Sequence, residues 1–377
     1  MTRIVLLGNY PPDGQQSMRR FADMLLTGFN ESQNLQAELW LPPVVFHQLH
    51  KVLGKRTSKW LGYLDQYLLA PLVLLLHRSV NRKVYYHICD HSNAPFSSVL
   101  PTDRTSITCH DVIAIEAASG NRSYGVQPSR LGKIQQKYIR YYLLRLQRIA
   151  CVSSYTLGRL IGLDPSIDHV EKIEWIVIPN AFNAPFSKVA LSNETAERFD
   201  IQREKYLFHL GSGHPRKNRS LLPKILKGVR REGIDIKLVL AGEGPKDLEK
   251  EAVYDSGMEQ HIVWAGRVSH QEAQELYGNS YAFVFPSLSE GFGWPLIEAQ
   301  ACGAPVVCSN RQPMLEVAGC EALFADPSQS ASFVEKLKQL KDSVQRQKVV
   351  DAGNHNTFRF SPKTIMSQYI NFITRTS

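Results

Sequence analysis

The sequence predicts an α/β protein built from two doubly wound domains, each a parallel sheet covered by helices. Three observations predict it. Short β-rich apolar runs alternate with helical segments through both halves of the chain, which is the pattern of parallel sheets. The chain has 377 residues, enough for two domains of ordinary size. Residues 183–202 are polar and lack strand character, as a linker does. The expected division is therefore 1–183 and 184–357, with the two domains facing each other across a cleft. Ligands of such sheets bind beyond the carboxyl ends of the strands, so the useful motifs should lie in loops just after strands.

The elements follow in order. Ile4-Val-Leu-Leu7 reads as the first strand, 18–29 as a helix and 39–41 as a short strand. Residues 84–88, 105–108 and 149–152 are further strands, and 132–146 is a basic helix between the last two. The second half repeats the alternation, with strands at 206–210, 237–240, 261–264, 282–285 and 306–308. Residues 358–377 read as one terminal helix.

Composition excludes several classes. The hydrophobic and charged fractions, 43% and 21%, are those of a soluble globular protein. The six cysteines show no CxxC spacing and no accompanying His/Cys cluster, so they read as core residues in a reducing compartment. No signal peptide is expected, because the N-terminus runs straight into a strand. The longest uncharged apolar run, 67–76, is ten residues long with an internal proline, too short to span a bilayer. Positive charge is concentrated in the first half: residues 51–150 hold 15 basic residues against 5 acidic. That excess suggests an anionic partner. No nucleic-acid recognition motif accompanies it. The segment 51–83, with Lys59 and Trp60 beside a leucine-rich run, reads either as a helix lying on an anionic membrane surface or as a core helix with solvated lysines at its ends.

The most informative stretch runs from Phe285 to Ser309. A short apolar strand ends in a glycine-bracketed turn, Gly291-Phe292-Gly293, followed by Trp294-Pro295 and a helix through Ala301. Proline is tolerated in a first helical turn, where its missing N–H costs nothing. Glu290 and Glu298 flank the turn. A helix N-terminus favours a phosphate or sugar oxygen, and a carboxylate accepts two hydroxyl hydrogen bonds. Glycine-rich turns of this kind also serve tight packing alone. A second glycine loop, from Gly211 to Asn218, follows the strand at 206–210 and carries the basic pair Arg216-Lys217. A guanidinium offers a planar fork to phosphate oxygens and an ammonium a compact charge.

The words SEGFGWPLIEAQACGAPVV, with their E-x7-E spacing, resemble the signature of retaining family 4 glycosyltransferases of bacterial polysaccharide type, which have the GT-B fold. The resemblance is specific from Leu210 to Asp326 and weaker before residue 183. It implies a hexosyltransferase that uses a nucleoside diphosphate sugar, UDP-glucose expected first and GDP-mannose second, without a cofactor. Arg216 and Lys217 would hold the diphosphate, Glu290 the hexose and Glu298 the ribose. The amides of Phe292, Gly293 and Trp294 would lie beside sugar and phosphate, the backbone at Val268 beside the base, and Gly211 in the phosphate loop. Gly14 stands where the family often has a double glycine, and His110 where it places a histidine against the donor sugar. His87, Asp90 and His91 follow another strand and are candidates for the acceptor pocket. A lone histidine is more often structural than functional.

In the family the terminal helix crosses back onto the first domain. No Asp-x-Asp pair or other metal motif occurs, so the leaving diphosphate is expected to be neutralised by Arg216, Lys217 and the helix start. The expected acceptor is a saccharide or lipid-linked saccharide, and the expected location cytoplasmic, at the inner membrane face. A non-hydrolysing sugar-nucleotide epimerase on the same fold and a non-catalytic nucleotide-sugar-binding protein are the rival readings.

Overall fold

A computed structural model describes residues 2–32, 34–54, 57–80, 83–121, 128–164 and 174–375. The chain forms two compact units, Met1–Ala184 with Pro362–Ser377, and Pro185–Ser361. Each holds one six-stranded parallel sheet.

In the first unit the strands are β1 (Thr2–Leu7), β2 (Leu35–Trp40), β3 (Val84–Ile88), β4 (Thr105–Cys109), β5 (Arg148–Cys151) and β6 (Glu174–Val177), in the order β2-β1-β3-β4-β5-β6. Alternate residues face opposite sides of a sheet. Val5 and Leu7, Tyr86 and Ile88, and Ile107 and Cys109 accordingly join one apolar core. His87, Ser106 and Thr108 occupy intervening positions and are buried too, since a parallel sheet is covered on both faces. Tyr369, on the helix Pro362–Thr374, is fully buried and accepts from Thr108 Oγ1 at 3.2 Å.

In the second unit the strands are β7 (Tyr206–Gly211), β8 (Lys237–Gly242), β9 (Ile262–Gly266), β10 (Ala282–Phe285), β11 (Val306–Ser309) and β12 (Leu323–Ala325). Their order is β12-β11-β10-β7-β8-β9. Counted from β7, that is the Rossmann order, which reverses direction between β7 and β10. Leu207, Leu238, Leu240, Val284 and Val307 form its core against the helices Leu222–Arg231 and Ser330–Gln339.

Four sequence expectations are corrected. The strand expected at 39–41 is longer and starts at Leu35, pairing along β1 from Thr2↔Leu35 to Leu7↔Trp40. Strands β6 and β12 were not anticipated. The terminal helix is not continuous from 358: a 3-10 turn, Phe358–Phe360, precedes Ser361, and the α-helix starts at Pro362. Proline restricts the residue before it to extended backbone, and Ser361 has φ −55° and ψ 126°.

Candidate active site at the strand reversal of the second unit

Where β7 and β10 lie side by side, their following loops leave in opposite directions and open a crevice. The loop after β7 turns through the 3-10 segment Pro215–Lys217 and ends on Asn218, which has φ 55°. The Asn218 side chain donates to the carbonyls of Pro286 and Pro327, at 3.2 and 2.8 Å. The Leu288 amide, in the loop after β10, donates to the Arg216 carbonyl at 2.7 Å. The two loops are thereby fixed to each other.

Three charged side chains meet there. Lys217 Nζ donates to Glu290 Oε1 at 2.6 Å, and Arg216 Nη1 donates to Glu290 Oε2 and, at 3.0 Å, to the Ser289 carbonyl. Glu290 is 4% exposed and Lys217 9%. Burial alone would raise the Glu290 carboxyl, but the charges of Arg216 and then Lys217 overcome it and hold the group at about 2. Burial lowers the Lys217 ammonium, against the attraction of Glu290. The cluster carries two cations and one anion, a net positive charge in a nearly dry place. An ammonium has three donors, so Lys217 keeps capacity for an anion beyond its bond to Glu290.

The helix Trp294–Ala301 begins beside this cluster in sequence, and its N-cap residue Gly293 has φ 98° and no side chain with which to cap it. Pro295 occupies its first turn. Phe292 is buried and packs edge-on against Phe360, with ring centroids 5.5 Å apart, so any ligand contact at 292 is through its backbone. Glu298 is buried on that helix and accepts from Tyr277 Oη at 3.0 Å. The two glutamates of the spacing motif therefore have different partners. Gly211 ends β7, and its carbonyl lies against Gly242 at the end of β8, where a Cβ would come within 2.2 Å of it. Val268 follows β9, in the turn before the helix His270–Gly278.

Arg219 was not singled out from sequence. It is 3% exposed, pairs with Glu249 at 3.3 Å and donates to the Glu243 carbonyl at 3.0 Å, tying down the loop after β8. Its signal was present as the second arginine of Arg216-Lys217-Asn218-Arg219.

In the first unit the chain reverses between β1 and β3. Asp90, just after β3, accepts from Asn9 Nδ2 at 2.5 Å and from Ser92 Oγ at 2.7 Å, and pairs with His91 Nδ1 at 3.1 Å. Burial would raise Asp90, but His91 holds it well below the usual carboxylate range. Burial would lower His91, and Asp90 pushes it up to about 10. His110 is buried, touches the Phe21 ring edge-on at 4.6 Å, and its Nε2 donates to the Cys89 carbonyl at 2.9 Å. Burial lowers its pKa, so the ring is neutral with Nδ1 an acceptor. Gly14 closes the turn Pro11–Asp13 with φ 63°.

His87 departs from its expected place in an acceptor pocket. It is fully buried, with Nδ1 2.9 Å from Ser106 Oγ and Nε2 2.9 Å from Thr108 Oγ1, on the face covered by Tyr369. Its position within β3, not after it, sends the ring into the layer beneath. Among the described residues no group of three or more His, Cys, Asp or Glu side chains is placed to hold a metal ion.

Residues 193–355 match the family model Glycosyl transferases group 1. O-antigen chain mannosyltransferase B of Escherichia coli is 32% identical over 179 residues, 46% of this chain and 47% of that protein. O-antigen chain mannosyltransferase RfbU of Salmonella typhimurium is 27% identical over 188 residues, 47% of this chain and 53% of that protein. The chain thus spans about half the length of these relatives. Among solved structures, Anabaena HepE in complex with UDP-glucose superposes with a TM-score of 0.72 at 16% identity, over 100% of each chain. The chain has the GT-B fold of two Rossmann-like units, and its second unit is similar to the group 1 glycosyl transferases.

Proposed function

We propose that the protein is a retaining glycosyltransferase that moves a hexose from a nucleoside diphosphate sugar to a saccharide or lipid-linked acceptor in surface polysaccharide or glycolipid synthesis. The observation that carries this reading is the Arg216–Lys217–Glu290 cluster at the strand reversal, with Lys217 and Glu290 buried and Arg216 half-buried. Two cations fixed by one carboxylate are preorganised for a diphosphate and need no rearrangement as charge develops on it. Departure of the diphosphate leaves an oxocarbenium-like sugar, and the acceptor attacks from the same face. The leaving phosphate oxygen takes the acceptor proton. Arg216 and Lys217 stabilise the negative charge, Glu290 and His110 orient the hexose, and Glu298, set by Tyr277, takes the ribose hydroxyls. Asp90 and His91 lie on the acceptor side, while the buried His87 supports the sheet beneath.

For the donor, two O-antigen mannosyltransferases are each similar to about half of the chain, which favours GDP-mannose. UDP-glucose, the donor first expected from the sequence motif, is the second reading, supported by the HepE complex. The test is a thermal-shift screen with UDP- and GDP-sugars, followed by an assay for released nucleoside diphosphate with and without EDTA. Stabilisation by one donor, with release that survives EDTA, is the expected result. Stabilisation by none of them, or product formed without an acceptor by epimerisation, overturns the reading.

A further inference from the structure

The helical run at residues 58–80 in the first unit has two apolar faces. One is spent on the fold: Leu61, Ala70 and Leu74 are buried. Asp65, within the π-type stretch Asp65–Leu69, is buried as well. It accepts from Tyr10 Oη at 2.6 Å and from the amides of Phe46 and His47 at 2.8 and 2.9 Å, which fixes the run about its own axis. The other face is turned to solvent. Leu64, Leu68, Leu72, Leu75 and Leu76 recur at helical spacing and are all exposed, Leu76 to 68%. Single exposed leucines are ordinary, but a contiguous stripe marks an interaction surface.

A second helix lies alongside. Arg130–Leu143 meets the run through Gln135, whose Nε2 donates to Tyr67 Oη at 2.8 Å, and through Tyr138, 5.9 Å from the Tyr67 ring. Its own outward residues, Leu131, Ile134, Tyr138 and Tyr141, are exposed. Cations surround this apolar surface: Lys59, Arg130, Lys133, Lys137 and Arg145 are solvent-facing. No acidic residue occurs between 117 and 163, and Asp65, which is buried, is the single one between 39 and 89. An apolar stripe with an aromatic edge, flanked by an excess of positive charge in which Asp13 is an acid facing Lys59, has the chemistry of a helix pair lying in a bilayer interface. Among the described residues no helix is long and apolar enough to cross a membrane.

We propose that these two helices dock the first unit flat on an anionic phospholipid surface, the leucine stripe entering the headgroup boundary and the Arg130–Leu143 cations contacting lipid phosphates. The inference stands on the first unit alone and does not depend on the glycosyl-transfer reading.

The test is co-sedimentation of the full chain with phosphatidylcholine vesicles, with and without phosphatidylglycerol, at low and high salt. Binding is expected to phosphatidylglycerol vesicles and to weaken with salt. The Leu68→Glu/Leu72→Glu double variant should lose at least about tenfold in vesicle affinity, and Lys133→Glu/Lys137→Glu should lose a similar factor and its salt dependence. All four side chains are exposed, so both variants should keep the wild-type circular dichroism. If the leucine variant melts early, the lysine variant decides alone. No binding to anionic vesicles, or binding unchanged by the lysine variant, overturns the proposal. So does a wild-type dimer that the leucine variant converts to monomer without vesicle binding, which would assign the stripe to a second copy of the chain.

Discussion

Both sheets reverse their strand order beside their first strand, β1 or β7, yet the crevices beside those reversals are chemically opposite. In the second unit one carboxylate, Glu290, holds two cations, and the excess is positive. In the first unit one carboxylate, Asp90, is paired with one imidazolium, His91, and with neutral donors from Asn9 and Ser92, so charge is balanced. Topology places a crevice, and the side chains after the strands decide what it can hold. A surplus of fixed cations suits a polyanion. A neutral hydrogen-bonding hub suits polar, uncharged ligand groups and mainly orders its own loops.

The sharpest way to break this comparison is Lys217→Ala. Removing one preorganised charge from a closed site should lower turnover by about 100- to 1000-fold, read by steady-state release of nucleoside diphosphate. Near-wild-type turnover would remove the second crevice from catalysis.

Stability separates the crevices next. Glu290→Gln should cost about 3 kcal/mol, because Arg216 cannot shed its proton and the two cations lose the carboxylate that offsets their charge, leaving Arg216 its bond to the Ser289 carbonyl. Asp90→Asn should cost less, because His91 can deprotonate once its partner is gone. Urea unfolding of each variant measures this, and an equal loss at both positions would erase the distinction. Two glycines give the same contrast in packing. Gly242→Ala drives a Cβ to 2.2 Å from the Gly211 carbonyl and should destabilise the second unit strongly, whereas nothing lies within 4 Å of a Cβ at Gly14. Gly14→Ala should cost only the left-handed backbone strain, about 1 kcal/mol.

The smallest effect is a pH dependence confined to the first unit. The pKa of His91 is raised from 6.5 to about 10. Its stabilising contribution is therefore complete below about pH 6.5 and is lost as pH rises toward 10. Asp90 is shifted down, so its contribution is present above the ordinary carboxylate range and fades in acid. Melting temperature should fall between pH 7 and 10 in the wild type and fall less in His91→Gln, read by differential scanning fluorimetry. Parallel pH curves for the two proteins would show that the ion pair does not act this way.

The interior strands were legible because a parallel strand covered on both faces is a nearly continuous apolar run. Ile4 to Leu7, Ala282 to Phe285 and Val306 to Cys308 could be read directly. Strands β2, β6 and β12 were misplaced or missed, and all three lie at sheet edges. An edge strand is covered less and is often short, so Glu174–Val177 and Leu323–Ala325 carry too little pattern to recognise. His87 shows the same limit within a strand. The sequence put it near a strand end, but register alone turned its ring beneath the sheet.

The sequence by itself determined the alternation of elements, the glycine turn before Trp294-Pro295, and the residue types a phosphate site requires, since backbone propensity and charge are local properties. Tertiary structure alone decided that Lys217 and Glu290, 73 positions apart, share a hydrogen bond, that Glu298 turns to Tyr277, and that five leucines face water. Those are outcomes of strand order and helix rotation, which are set by long-range packing that no local pattern encodes.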